Sequence, residues 1–427
     1  MALKIITDAQ PILETLHRQP IQDDNSDIFV KLIKMKQHIL AKGDDAILGY
    51  TQEFDGVDTA KFTMKVAEKE IDNAYRQVPK AFIKALKKAK LNLTRYHKYQ
   101  KPKSWLKKKK NGIAFGMQYK PIEKVGLYVP GGRAPYPSTV LMNAIPAKLA
   151  NVPNIVMVTP PQKDGSVAPQ VLVAADLCGV SDIYKVGGAQ AIFGITVGTQ
   201  TLPKVDKIVG PGNVYVNTAK QMVYGTVDID KPAGPSEVLV YIQEKKYAAF
   251  AAAELLAQLE HDPDAIAIGL SEDKDILDAI NEAFTAQLTA CKRKDIIEQS
   301  AKNAVLILGK DEKESIRLMN EVASEHLVLM VDDYRKFSGQ INHAGAIFLG
   351  PYTPVTLGDY IAGPNHVLPT GRSARFSSPL NVLDFMKFSS ILGYSKKQLG
   401  LESGALEILT EMEGFDAHYN AVKIRLS

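Results

Sequence analysis

The residues best suited to chemistry are histidines that stand close in sequence to a carboxylate or an amide. They form four groups: Gln258 with His261, Glu325 with His326, Asp359 with His366, and Glu413 with His418. Side chains spaced like those of Gln258 and His261 project from the same face of a helix. A single helical histidine is more often a satisfied polar residue than a ligand. Together, two imidazoles, a carboxylate and a side-chain carbonyl would suit Zn²⁺, with Co²⁺ or Mn²⁺ as alternatives, although spacing alone does not select the ligands.

Three glycine-rich segments indicate a second kind of site. VGLYVPGGRAPYPS, VGGAQA and VGPGNVYV each follow a predicted strand and precede a predicted helix. An open α/β sheet binds its ligand at such turns, where a helix N-terminus can receive a pyrophosphate. None of the three matches GxGxxG, and no acidic residue stands about 20 positions further on in the required context. Dinucleotide binding and simple tight turns therefore both stay open from spacing alone.

The elements that must position these residues alternate along most of the chain. As far as Gln100 the apolar spacing predicts helices, and two α/β blocks follow a lysine-rich run, the second beginning at SEVLVYI. Such alternation implies right-handed crossovers and parallel sheets covered on both faces. We expect the first helices to pack with the second block, because a helical arm alone has no core. From Leu383 to Ser427 we expect helical structure that ends in a strand-like segment, AVKIRLS.

Composition limits the setting in which the protein works. A chain of 427 residues fits two or three domains. Its two cysteines, Cys178 and Cys291, cannot form a disulfide framework, which favours a reducing cytoplasm. The N-terminal residues lack the pattern of a signal peptide, and no apolar run reaches the roughly 18 residues of a membrane span. We expect a cytoplasmic protein that does not interact with membranes.

The net charge of +5 is concentrated between Lys84 and Lys110, where no acidic residue occurs. Aromatic residues are interleaved with these lysines, as on some nucleic-acid-binding surfaces. A simpler interpretation is a solvated helix face followed by a basic hairpin tip at KKKKNG, and a third is attraction of an anionic cofactor. We expect no nucleic-acid binding, because that function leaves the histidine groups unexplained.

Several segments resemble the histidinol dehydrogenase family, in that family's order, from about Val125 to Leu426. They are VGLYVPGGRAPYPSTVLMNAIPAKLA, VGGAQAI, VGPGNVYVNTAK, AGPSEVLV, LLAQLEHDPDA, SEHLVL, GDYIAGPNHVLPTGRSARFSSPL and HYNAVKIRL. GPNHVLPTG together with EHLVL is highly specific at this spacing. The resemblance implies a zinc-dependent, NAD-linked oxidation of L-histidinol through L-histidinaldehyde to L-histidine, with a nicotinamide cofactor consumed in each of two steps.

The resemblance also assigns residues to roles. The general acid/base pair falls on Glu325 and His326, and a water activated by Glu325 is expected in place of a cysteine nucleophile. The implied metal ligands are Gln258, His261, Asp359 and His418. The implied substrate contacts are Ser236, Gln258, His261, His326, Asp359, His366, Glu413 and His418. The implied NAD contacts are Tyr128, Gln190 and Asn213.

The expected fold is α/β, with two Rossmann-like domains built on parallel sheets and small helical extensions at both ends. The predicted units are an N-terminal extension (1–24), a metal- and substrate-binding domain (25–126 with 237–380), an NAD-binding domain (127–236) and a dimerisation tail (381–427). Because His418 stands beyond the second block, the tail can reach a partner chain. We expect a swapped homodimer with one Zn²⁺ per subunit, in which Glu413 and His418 serve the partner's site.

Other functions compete with this hypothesis. A metal-dependent hydrolase would use the same ligands with a metal-bound water as nucleophile, and a nucleic-acid-binding protein would use the lysine-rich stretch. A relative could also act on another amino alcohol, although Ser236, Glu413 and His418 are all present. Production of NADH from histidinol, lost on chelation and restored by zinc, separates the dehydrogenase from the hydrolase and the nucleic-acid binder.

Overall fold

The computed structural model describes residues 2–16, 26–131, 135–180, 182–232 and 234–427. Residues 17–24 of the predicted N-terminal extension lie outside these ranges. The amino-terminal elements are β1 (Lys4–Ile6), α1 (Gln10–Thr15), α2 (Ser26–Lys42), α3 (Asp44–Asp55), α4 (Glu68–Gln77), α5 (Lys80–Lys98), β2 (Trp105–Lys108) and β3 (Ala114–Pro121). Short 3₁₀ turns cover Thr59–Lys61, Lys245–Tyr247, Ala301–Asn303, Ser373–Arg375 and Val382–Phe385.

A five-stranded parallel sheet is built by the next part of the chain. Its elements are β4 (Lys124–Tyr128), α6 (Pro137–Leu149), β5 (Asn154–Thr159), α7 (Pro169–Leu177), β6 (Asp182–Lys185), α8 (Gly188–Val197), β7 (Lys207–Val209), α9 (Val214–Val223) and β8 (Asp228–Ile229). The strand order is β6-β5-β4-β7-β8. The order reverses between β4 and β7, so the carboxyl ends of these two strands flank the crevice where such sheets bind ligands.

A six-stranded parallel sheet follows, in the order β1-β11-β10-β9-β12-β13. Its further elements are β9 (Glu237–Ile242), α10 (Ala248–Leu259), β10 (Ile266–Ser271), α11 (Lys274–Leu288), α12 (Lys294–Ser300), β11 (Ala304–Leu308), α13 (Glu312–Val322), β12 (His326–Met330), α14 (Tyr334–Ser338), β13 (Ala346–Leu349) and α15 (Val355–Tyr360). Every residue of β9 and β10 is buried, as expected for strands covered on both faces. The α/β class with parallel sheets is confirmed.

The N-terminal segment contributes a strand to this sheet, so the expectation of a purely helical extension was wrong. β1 pairs in parallel with β11, with Lys4 opposite Val305. Ile12 and Leu13 of α1 pack in the core on one face of the same sheet. A strand of only three residues is too short for hydrophobic periodicity to reveal it in the sequence.

The C-terminal part contains β14 (Met386–Gly393), α16 (Lys396–Met412) and α17 (Asp416–Leu426). β14 pairs antiparallel with β3, which also pairs with β2, so a helical tail beginning at residue 383 was wrong for this segment. The strand-like reading of AVKIRLS was also wrong, since these residues belong almost entirely to α17. No residue of α17 is buried, so no burial pattern in the sequence distinguishes a helix from a strand there.

The lysine-rich stretch forms the predicted helix face and hairpin tip. The tip joins β2 to β3, where the Lys109 N–H donates to the Ile113 carbonyl at 2.7 Å. Gly112 turns the chain with φ +88°, a conformation that favours glycine. Within the described ranges, no helix combines the length and apolarity needed to cross a bilayer.

The first helices pack on the five-stranded sheet, so the expectation that they join the second block was wrong. α4 and α5 share a core with α6 and α7, and α2 and α3 share one with α8. The physical reason lies in α8, whose residues from Ala189 to Thr196 are all buried. A helix that is apolar all round needs cover on its outer face as well. The boundaries of the predicted domains stay a prediction.

Leu255 tests the core that supports α10, the helix that ends beside the candidate site. Its side chain is fully buried, whereas Leu91 of α5 is 49% exposed. We expect Leu255→Ala to lower the free energy of unfolding by about 2–5 kcal/mol, because it leaves a cavity. Leu91→Ala is the matched control and should change stability by about 0.5 kcal/mol or less. Urea unfolding followed by circular dichroism measures both, and equal losses would contradict the assignment of α10 to the core.

Candidate active site

The predicted acid/base pair lies at the amino-terminal edge of the six-stranded sheet. His326 begins β12 and pairs in register with Val238 of the neighbouring strand β9. Glu325 therefore comes to lie against Glu237, whose backbone N–H donates to Glu325 Oε2 at 2.9 Å. These side chains lie where the strand order reverses, between β9 and β12, at the amino ends of the two strands.

The imidazole of His326 is held in one orientation. Its Nδ1 lies 3.0 Å from the carbonyl oxygen of Glu237, and a carbonyl can only accept a hydrogen bond. Nδ1 must therefore carry the proton in the neutral ring, which leaves a lone pair on Nε2. Nε2 is buried without a hydrogen-bond partner among the described residues, and Asp359 Oδ1 lies 3.6 Å away. This geometry suits a base that accepts a proton from a bound molecule.

The carboxyl groups of Glu325 and Asp359 flank the His326 imidazole and favour its protonated form. Burial alone would lower the pKa of His326, but Glu325 and Asp359 outweigh burial and raise it to about 9. Burial also raises the pKa of Glu325, while His326 and a hydrogen bond from Ser236 act in the opposite direction. Ser236, a predicted substrate residue, thus lies close enough to Glu325 to lower the pKa of that carboxyl.

Glu237 is a third buried acid at this site, and sequence reasoning missed it. Burial, and secondarily the neighbouring carboxyl of Glu325, raise its pKa to about 8. Glu237 Oε1 accepts a hydrogen bond from the Gly371 N–H at 2.7 Å, and Oε2 has no partner among the described residues. The available signal was an acidic residue at the start of an otherwise apolar strand, EVLVYI.

Three of the predicted metal ligands lie near this pair. Gln258 is in the last turn of α10, with His261 just after it, and Asp359 is in α15. The two helices are joined by Glu254, which accepts the Val355 N–H at 3.2 Å and was also missed as a site residue. The sequence feature that could have revealed Glu254 is a single charged residue within an otherwise apolar helix.

Asp359 is the electrostatic centre of this group. Burial acts to raise its pKa, but His326, and more weakly His366 and His261, outweigh burial and lower it. The Nδ1 of His366 lies 2.9 Å from the backbone carbonyl of Asp359, so its Nε2 also keeps a free lone pair. His366 therefore lies close to the ligands, as predicted.

The donor set fits a metal ion in part. The Gln258 amide is buried, and its nitrogen has no hydrogen-bond partner in the described chain. The amide is therefore still able to bind a ligand at this site. His261 is exposed at the surface of the single chain. In the described residues no three His, Cys, Asp or Glu side chains form a metal-binding group. Gln258, His261 and Asp359 thus offer an amide, an imidazole and a carboxylate, which are three of the four predicted ligand types.

Glu413 and His418 lie on the C-terminal helices, away from the other predicted site residues. Both are exposed, and the His418 ring contacts Phe415 at a centroid distance of 4.9 Å. No described hydrogen bond or ion pair links either residue to Gln258, His261 or Asp359.

The predicted NAD residues surround the crevice of the five-stranded sheet. Tyr128 ends β4, and its hydroxyl accepts the Gly188 N–H at 3.2 Å. Gln190 is buried in the first turn of α8, whereas Asn213 is exposed and caps α9 by accepting the Val216 N–H at 3.1 Å. Backbone turns after parallel strands and helix N-termini of this kind can receive a pyrophosphate. Residues 132–134 of the first glycine-rich segment lie outside the described ranges.

A connecting segment, described at residues 230–232 and 234–237, lies between the five-stranded and the six-stranded sheet. It is fastened to residues 370–378 at three points. The Gly234 N–H donates to Thr370 Oγ1 at 2.6 Å, and Glu237 binds the Gly371 N–H. The third point is a hydrogen bond from Lys231 Nζ to the Ser378 carbonyl. The connection between the two sheets is thus hydrogen-bonded to the segment that also contacts Glu237.

Two sheets of Rossmann strand order and a buried histidine–carboxylate pair define an α/β enzyme with an acid/base centre. A family model described as histidinol dehydrogenase matches residues 18–426. Histidinol dehydrogenases of Heliobacterium mobile and Clostridium acetobutylicum are 45% and 47% identical over 94% of this chain and 95% and 93% of theirs. A crystal structure of histidinol dehydrogenase from Elizabethkingia anophelis is 36% identical, with a TM-score of 0.93 over 99% of this chain and 98% of that one. The chain belongs to the histidinol dehydrogenase family of oxidoreductases.

The raised pKa of Glu237 predicts that the protein becomes less stable as pH rises. Its pKa of about 8 in the folded protein exceeds the ordinary glutamate value, so the folded state binds more protons between that value and about pH 8. Stability should therefore fall as pH rises through this window. Glu237→Gln cannot ionise, so we expect its stability not to fall in this way. The melting temperature of the variant should therefore rise relative to that of the wild type as pH increases to about 8.

Thermal melts of both proteins from pH 5 to pH 9 measure the difference. Glu282→Gln, at an exposed position of α11, is the matched control. Parallel curves for the wild type and Glu237→Gln would contradict a raised pKa.

Proposed function

We propose that the chain catalyses the zinc-dependent, NAD-linked oxidation of L-histidinol through L-histidinaldehyde to L-histidine, the last steps of histidine biosynthesis. Membership of the family supports the substrate. The observation that carries the chemistry is His326, a buried imidazole whose Nδ1 is bound to a carbonyl and whose Nε2 is free. We place the reaction in the cytoplasm, where Cys178 and Cys291 would stay reduced.

In the first oxidation, the neutral form of the His326 imidazole acts as the base, and with a pKa of about 9 this form increases as pH rises towards that value. Its Nε2 accepts the hydroxyl proton of histidinol while a hydride leaves the carbinol carbon for the nicotinamide. The resulting imidazolium lies between Glu325 and Asp359, and their carboxylates stabilise the positive charge. Tyr128, Gln190 and Asn213 would bind NAD at the crevice of the five-stranded sheet.

In the second oxidation, Glu325 acts on water. Its carboxylate removes a proton from a water molecule that attacks the aldehyde carbon, and the hydrate then releases the second hydride. Burial raises the pKa of Glu325, which makes the carboxylate a stronger base. Loss of two hydrides and two protons, with addition of one water, thus converts the alcohol to the acid.

A cysteine nucleophile fits this chain poorly. Cys178 is buried at the end of α7, where burial raises the pKa of its thiol to about 12. Burial also raises the pKa of Cys291, which follows α11. A thiol of high pKa is a poor nucleophile at neutral pH. Water activated by Glu325 is therefore the better route to the acid.

Gln258, His261 and Asp359 would hold one Zn²⁺ per subunit, together with His418 of a second subunit. When bound, the zinc ion supplies an anchor for the imidazole and amine of histidinol and so orients the carbinol carbon. Ser236, His366 and Glu413 would complete the substrate contacts. Ser236 is suitably placed, because it lies close enough to Glu325 to lower the pKa of that carboxyl.

The C-terminal helices support a homodimer with shared sites. Of their residues only Gln398 is buried, whereas Leu401, Ile408 and Met412 are 70%, 63% and 79% exposed. A helix pair with so many exposed apolar residues requires a partner surface. A second copy of the chain is the partner that would also bring Glu413 and His418 to the exposed His261.

The function is tested with the purified, zinc-loaded protein. We expect NADH to appear when histidinol and NAD⁺ are added, to disappear after chelation, and to return with Zn²⁺. His326→Ala should lower kcat by about 10²–10⁴-fold, the usual contribution of general acid–base catalysis. His343→Ala, a histidine outside the site, is the control. Activity that survives His326→Ala unchanged would rule out the proposed base.

The shared site is tested by complementation. His418→Ala and Glu325→Gln chains should each be inactive alone, because each lacks one part of every site. A heterodimer contains one site with both defects and one with neither, so we expect up to half of wild-type activity. Heterodimers isolated through two different affinity tags measure it. Verified heterodimers without activity would contradict the exchange of C-terminal tails.

A further inference from the structure

A buried ion pair holds the loop between β7 and α9. Lys220 Nζ donates to the carbonyl of Gly210 at 2.9 Å, and Asp230 Oδ2 accepts the Gly210 N–H at 2.8 Å. Lys220 also donates to Asp230 Oδ1 and, at 3.4 Å, to the carbonyl of Lys231. Both backbone groups of Gly210 are therefore bound, and all three ammonium hydrogens have acceptors.

The pair is almost completely removed from water. The side chains of Lys220 and Asp230 are 0% and 2% exposed. Burying two charges requires their desolvation, and an apolar pair of similar volume is often equally or more stable. Stability alone therefore does not account for this pair, and its contacts with Gly210 indicate what else it does.

Gly210 occupies the point where the order of the five-stranded sheet reverses. It has φ +122°, and a Cβ at this position would collide with the carbonyl oxygen of Tyr128. The glycine thus lies directly against the end of β4, and the chain reaches Asn213 three residues later. Any shift of Gly210 would move the loop relative to both predicted NAD contacts.

We propose that Lys220 and Asp230 are positioning residues for the cofactor loop, residues 210–213. They fix the peptide groups of Gly210 so that Tyr128 and Asn213 keep the spacing that a dinucleotide requires. The inference rests on the proposed NAD site. Neither residue needs to touch the cofactor, since both are buried behind the loop.

The chain offers a matched control on the same strands. Lys207 of β7 and Asp228 of β8 form an ion pair at 2.8 Å, with the lysine buried and the aspartate 49% exposed. No described hydrogen bond joins this pair to residues 210–213. Loss of this pair removes an ion pair from the same edge of the sheet without releasing the loop.

The experiment measures NAD⁺ affinity by calorimetry and steady-state kinetics with the zinc-loaded protein. We expect Asp230→Asn, which turns an amide donor toward the Gly210 N–H, and Lys220→Met to raise Kd and KM for NAD⁺ about ten- to a hundredfold. The KM for histidinol should stay unchanged. Lys207→Met and Asp228→Asn should leave the affinity for NAD⁺ unchanged.

The double variant Lys220→Met/Asp230→Leu separates positioning from stability. Its melting temperature should return toward that of the wild type, because no charge is left unpaired. Its affinity for NAD⁺ should stay weak, because Gly210 has lost both partners. Recovery of affinity together with stability, or wild-type affinity in Asp230→Asn, would overturn the inference. If the wild type itself did not bind NAD⁺, the proposed function would fail instead.

Discussion

A carbonyl oxygen can only accept a hydrogen bond, and this constraint determines what His326 can do. The Glu237 carbonyl occupies the Nδ1 side of the ring, so Nε2 faces the site with its lone pair. Both residues begin neighbouring strands, and the pairing of β9 with β12 therefore fixes the distance between them. The rest of the six-stranded sheet serves to keep these two strand ends in register.

Sequence reasoning found the site residues whose association does not depend on the fold. Glu325 and His326 are adjacent, and Gln258 and His261 are one helical turn apart, so each pair stays together in almost any structure. Glu237 was missed because its contact with His326 joins residues 89 positions apart. Such a contact depends on which strands pair. Hydrophobic patterns do not show which strands pair when the strands are far apart in the sequence. The roles assigned to the site residues still rest on the family resemblance.

For the fold, the sequence likewise predicted the type of each element better than its packing partners. Continuous apolar runs such as EVLVYI identify strands buried on both faces, and their alternation with helices predicts parallel sheets. The amphipathic patterns of α4 and α5 predict that each helix buries one face. They do not predict which other element covers that face. For this reason their packing on α6 and α7 was unexpected. β14 was missed for a related reason, since its partner β3 is distant in the sequence.

The fastening of residues 230–232 and 234–237 to residues 370–378 bears on how the proposed two-step oxidation would be completed. In that reaction, spent cofactor must be replaced before the second hydride is released, while the aldehyde stays bound. Opening the two sheets like a hinge would break the bonds of Gly234 to Thr370 and of Glu237 to Gly371. In the proposed reaction, a nucleotide bound in the crevice between β4 and β7 would leave with these bonds intact. The aldehyde would then be retained by a framework that does not move during cofactor exchange.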